Sequence, residues 1–119
     1  LTLPLVRRHA DWWNCPSYAV ERLAQLRPEV GDVRVSVQHP VALVGGAGAD
    51  AAARDETVAT AQRRFGGWGG LLTGTSEELA GQLAKERDVG VDGFVIQLSD
   101  FGRPETIGRF GAEVIGALR

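Results

Sequence analysis

Six side chains in this sequence combine a type and a position from which chemistry is possible. Gln38 closes the alternating run Val33-Arg34-Val35-Ser36-Val37-Gln38, and Gln97 lies near the end of the apolar run Gly93-Phe94-Val95-Ile96-Gln97-Leu98. An amide at a C-terminal strand end can hydrogen-bond the edge of a planar ring or a substrate carbonyl. It can equally satisfy backbone groups at the mouth of a sheet, as buried polar groups generally do. In Asp11-Trp12-Trp13-Asn14, a tryptophan such as Trp13 offers an apolar wall beside a planar cofactor and Asn14 a hydrogen bond. The competing role puts one indole in the core and the other over an interface. Asp100, in the turn Ser99-Asp100-Phe101-Gly102-Arg103, can fix a substrate hydroxyl or pair with Arg103. Alternatively it caps its own turn before Pro104, because aspartate readily bonds the backbone two residues on.

Other candidates are weaker. Gly46-Ala47-Gly48-Ala49-Asp50-Ala51 has the glycine spacing that lets backbone approach a pyrophosphate at a helix N-terminus. Asp50 would oppose a phosphate there, and no acidic strand end follows about 20 residues later, as ribose recognition requires. A looser phosphate role remains open for the loop. His9 and His39 have no neighbours at metal-ligand spacing. Cys15 has no adjacent base, which favours an inert thiol over a nucleophile.

The elements that position these residues follow from periodicity. Residues 1–10 read as a helix restricted by Pro4, and residues 11–14 as a very short strand. A helix with Ser17 as N-cap and Tyr18, Leu23 and Leu26 inward is expected to end before Pro28 and Gly31. The run 33–38 alternates strictly and predicts a strand. His39-Pro40 would interrupt it, with 41–44 continuing in extended form. Asp50 caps a helix to Phe65 with Val58, Ala61 and Phe65 buried, followed by a glycine-rich break carrying Trp68. Thr75 and Glu78 form a capping box for a helix with a Leu79, Ala80, Leu83, Ala84 stripe, stopped by Gly90. Residues 93–98 read as a strand buried on both faces. Pro104 opens a last helix with Ile107, Phe110, Val114 and Leu118 inward. Strands alternating with helices predict an α/β fold with parallel βα units and one domain over residues 1–119.

Composition narrows the function classes. The chain has 119 residues, 44% hydrophobic and 24% charged, with a net charge of −2. Such a balance gives no electrostatic reason to expect nucleic acid or an anionic membrane as partner. No apolar run approaches the roughly 20 residues of a membrane span. The single cysteine excludes an internal disulfide, and a cytoplasmic location is the expectation.

Three segments taken together resemble the bacterial luciferase-like monooxygenases. Arg8-His9-Ala10-Asp11-Trp12-Trp13-Asn14 is similar to that family's alanine–aspartate–glycine–tryptophan–asparagine segment, with Trp12 standing where glycine is usual. The alternating strand at 33–38 follows at the family's spacing, and Gly93 through Arg103 resembles its closing strand and turn. The resemblance implies a (β/α)8 TIM barrel and an oxidoreductase using reduced FMN or the deazaflavin coenzyme F420 on a small-molecule substrate. Trp13, Asn14, Gln38, Gln97 and Asp100 are then the cofactor-binding candidates. A full barrel needs on the order of 250 residues, so the likeness covers roughly its last three βα units. Completion by a homo-oligomer or a partner chain is therefore expected, because a cut parallel sheet exposes its edges. The alternative is a non-catalytic remnant, an oligomerisation or interaction module of the same fold.

Overall fold

Strict alternation of valine with polar residues makes strand β2 (Arg34–Leu43) the spine of the fold. The computed structural model describes residues 2–46 and 48–119; Leu1, at the start of the first expected helix, and Ala47, inside the glycine pattern at 46–51, lie outside the described residues. The chain is a mixed α/β structure built on a four-stranded parallel sheet. Strand β1 (Trp12–Asn14) pairs with the start of β2, Trp12 opposite Arg34, and β3 (Leu72–Gly74) pairs with its end, Gly74 opposite Leu43. Strand β4 (Gly93–Leu98) runs along the other edge, from Ser36 to Val41.

Backbone parity explains how Pro40 fits inside this strand. Val35 and Val41 accept from Asp92 and Ser99 on the β4 side, whereas Ser36 accepts from Cys15 and Val44 donates to Gly74 on the other. Pro40 shares the parity of Ser36, so its missing N–H faces the gap between the β1 and β3 pairings and breaks no ladder bond. The expected interruption at His39-Pro40 therefore does not occur.

Helices form where the caps and stripes predict them, with local differences. Helix α1 (Leu3–His9) has Pro4 in its first turn. The segment after Pro16 starts as a 3-10 helix (Ser17–Arg22) with no side-chain cap from Ser17, and continues as α2 (Leu23–Val30). Pro28 lies inside α2 rather than after it. It sits in the last turn, so it removes one bond just before Gly31 (φ 72) ends the helix. Tyr18 is 86% exposed, not inward, because the tighter 3-10 turn rotates it away from the sheet. Asp50 caps α3 (Ala51–Phe65) by accepting from Ala53 N–H at 2.8 Å, and a short 3-10 turn (Gly66–Trp68) follows. Both reciprocal bonds of the capping box open α4 (Ser76–Asp88). The C-terminal helix runs as α5 (Pro104–Arg109), a π-helical turn (Phe110–Ile115) and α6 (Gly116–Leu118).

The two faces of the sheet are covered unequally. Val35, Val37, Val41 and Leu43 point to one face, where they join two buried clusters. The first holds Cys15, Ala19, Val20 and Leu23; the second holds Leu79, Leu83, Phe110 and Val114. The 3-10 helix with α2, then α4, then the C-terminal helix thus cover the same face. The opposite face leaves Trp12, Asn14, Arg34 and Gln38 exposed, and β4 is not buried on both faces as expected, Val95 being 52% exposed. Pro40 and Ala42 are buried toward the C-terminal end of β2, where α3 packs against it. Ile107 is 54% exposed instead of inward, because it closes over the Gly102 turn beyond the end of the sheet.

Unequal cover leaves an open shape. The radius of gyration is 15.7 Å, against roughly 13.5 Å for a compact domain of this length. The accessible surface is 7485 Å², against roughly 6200 Å² for a compact monomer of this mass.

Candidate functional site

Asn14 and Gln38 come together on the open face. Asn14 ends β1 beside Ser36, whose hydroxyl donates to Asn14 Oδ1 at 3.2 Å, and Gln38 follows two residues further along β2. Both line a cleft of about 300 Å³ with Ser17, Pro40 and Trp68. Trp68 reaches it because the 3-10 turn after α3 carries the indole edge-on to Phe65, centroids 5.0 Å apart at 89°. The cleft offers two amides and an aromatic wall on the open face; Asn14 ends β1, but Gln38 lies in the middle of β2, which continues to Leu43, and not at a C-terminal strand end as expected. Its volume is at the lower end for small-molecule sites.

The other candidates lie elsewhere. Alternation along β1 sends Trp12 to the open face and Trp13 to the helix side, where its indole packs on the cluster around Cys15 and Leu23. Trp12 instead lies over Gly93, and the Arg34 guanidinium sits 5.6 Å from its ring. Gln97, opposite Pro40 on the open face, donates to the Leu98 carbonyl at 3.4 Å and does not line the cleft. Asp100 is engaged by its own turn, accepting from the Gly102 and Arg103 N–H groups and from the Thr106 hydroxyl. Burial alone would raise its carboxyl; the Thr106 bond, the two backbone bonds and the Arg103 charge outweigh it and hold the group below the usual range.

The most demanding polar arrangement joins His39, a weak candidate in the sequence, to Glu86, which the sequence reading did not single out. His39 is 2% and Glu86 6% exposed. His39 Nε2 lies 2.8 and 3.0 Å from the two Glu86 oxygens, and Nδ1 lies 2.6 Å from the Gly70 carbonyl. Burial pushes the imidazole down; the Glu86 hydrogen bond, the Gly70 carbonyl and the Glu86 charge more than reverse this and hold it above the ordinary histidine range. Cys15 is raised by burial first and by the Glu86 charge second, so its thiol is inert at neutral pH. The sequence did carry a signal. His39 shares the parity of Val35, Val37 and Val41, and Glu86 follows Leu79 and Leu83 at helical spacing, so both are ionisable residues on apolar faces.

Among the described residues, no group of three or more His, Cys, Asp or Glu is placed to hold a metal ion, and no helix is long and apolar enough to cross a membrane. Comparison with protein-family models, with curated proteins and with solved structures finds no match.

Proposed function

We propose that this chain forms part of the wall of a luciferase-like (β/α)8 barrel and serves a flavin- or deazaflavin-dependent oxidoreductase or monooxygenase in the cytoplasm. The observation that carries the reading is that helices cover one face of the parallel sheet along its length, while the other face is open except at the C-terminal end of β2, where α3 packs. Doubly wound sheets carry helices on both faces, whereas a barrel keeps them outside and turns the other face inward. Here the face covered along its length is mainly apolar, and the other face presents Asn14, Ser36, Gln38 and Gln97, with only Pro40 and Ala42 buried beneath α3. The resemblance of residues 8–14, 33–38 and 93–103 to the family supports the same assignment.

Asn14 and Gln38 would hold the cofactor's polar edge while Trp68 excludes water from one side. Bound reduced FMN or F420 supplies the electrons for the reaction. The surface in excess of a compact monomer is of the order of one partner's share of a standard interface, which supports completion by a second copy or a partner chain. Titration of FMN and F420 into the purified chain, followed by flavin fluorescence, tests the reading together with light scattering. Saturable binding by an oligomer supports it, and a well-folded monomer without binding overturns it. A stable oligomer that binds neither cofactor would assign the chain to the second reading, an interaction module. The commitment of Trp13 to packing and of Asp100 to its own turn favours that one.

A further inference from the structure

The buried His39–Glu86 pair and the open cleft meet in one loop. The 3-10 turn carries Trp68 into the cleft wall, and two residues later the Gly70 carbonyl lies 2.6 Å from His39 Nδ1. Gly69 and Gly70 both have positive φ, 78 and 73. A Cβ on Gly70 would stand 2.5 Å from Ser17 Oγ and 3.2 Å from His39 Nδ1, so the loop is seated between Ser17 and the imidazole.

The contacts of the ring depend on its protons. A carbonyl and an ionised carboxylate can only accept. The imidazole therefore satisfies both Gly70 and Glu86 only while it carries two protons. A neutral ring has a single N–H, and the carboxylate is the stronger acceptor, so Gly70 is the contact released. His39 and Glu86 also line a second cleft of about 620 Å³, which gives solvent a route to the pair. The other titratable groups facing it are Lys85 from α4 and Tyr18 and Glu21 from the 3-10 helix, all exposed; Cys15 feels the Glu86 charge. Among the described residues, Glu86 is the titratable group in contact with the ring.

We infer that the Glu86–His39–Gly70 bridge is a proton-dependent latch that sets the position of Trp68 and thereby the width of the Asn14–Gln38 cleft. It is closed while His39 holds two protons and released when the ring loses one. That the latch regulates ligand access rests on the cleft being the cofactor site proposed above.

The test is acrylamide quenching of the full chain between about pH 5 and about pH 9, with Trp68→Phe subtracted to isolate that indole. Quenching of Trp68 is expected to rise with pH through one midpoint. Glu86→Gln is expected to lower that midpoint by about 1 pH unit or more, and His39→Gln to abolish the transition. A pH-independent Trp68, or an unchanged midpoint in Glu86→Gln, overturns the latch. If the variants fail to fold, ring-proton NMR of the wild type decides, with His9 assigned through His9→Gln. Coincidence of the His39 and Trp68 midpoints supports the latch, and separate midpoints overturn it. FMN titrated at both pH limits separates the two proposals. No binding at either limit with a responsive Trp68 removes the flavin reading and leaves the latch. Equal binding at both limits with a responsive Trp68 removes the control of access.

Discussion

Glu86 on α4 holds His39 on β2 through both carboxylate oxygens across 47 residues of chain, the bonds to Nε2 being 2.8 and 3.0 Å. Removing one partner strands the other in an apolar layer. Glu86→Leu is therefore expected to destabilise the chain by about 3–5 kcal/mol. The double variant His39→Leu/Glu86→Leu replaces both groups by apolar ones and is expected to recover most of that loss. Urea unfolding of the single and double variants measures it, and simple additivity would show that the two residues do not act as a pair.

The same pair fixes the sign of a pH effect. His39 is raised in the folded state, so the folded chain binds its proton more tightly than the unfolded one. This contribution is complete below the ordinary histidine range and is lost as pH rises through the raised folded value. Thermal stability is expected to fall across that window in the wild type and to flatten in Glu86→Gln. Asp100 works in the opposite sense at acid pH. Its lowered carboxyl contributes above the usual carboxylate range and loses that contribution as pH falls through the folded value. Asp100→Asn is expected to reduce the acid slope and leave the neutral limb unchanged, as a melting series against pH will show.

Neighbouring residues on β4 should respond oppositely to the same charge. Ile96 packs on the cluster around Leu79 and Phe110, so Ile96→Asp is expected to abolish folding. Val95 points to the open face, so Val95→Asp is expected to keep native circular dichroism while dissolving the association inferred from the uncovered sheet. Light scattering and circular dichroism together read both outcomes. Unfolding by Val95→Asp alone would reverse the assignment of faces.

Local signals were legible in the sequence, and long-range ones only in part. The capping box at Thr75 and Glu78 needs only its own four residues, and it forms as read. Strand β2 was visible through its alternation. Its passage through Pro40 was not, because the tolerance comes from which edge β1 and β3 leave unpaired. Strand β3, three residues long, has too little pattern of its own and exists by pairing with β2. Trp13 and Gln97 had the right residue types, but face and neighbours depend on register that no single segment specifies. His39 and Glu86 each lie on an apolar stripe, but Glu86 was not singled out and His39 was read as an interruption of the strand; only the packing of α4 on β2 unites them.

The helix cap offers a local check. Thr75→Ala removes the acceptor for the Glu78 N–H and half of the reciprocal pair. A loss of about 1 kcal/mol is expected in urea unfolding. No loss would mean that α4 is held by packing alone.

The open-face cleft is tested most directly by titrating FMN and F420 into the wild type, Asn14→Ala and Gln38→Ala, with circular dichroism confirming that each variant folds. Saturable quenching of cofactor fluorescence is expected in the wild type, weakened by about tenfold, or about 1.4 kcal/mol, in each variant. Absence of saturable binding in the wild type, or equal affinity in all three proteins, would contradict the assignment of this cleft.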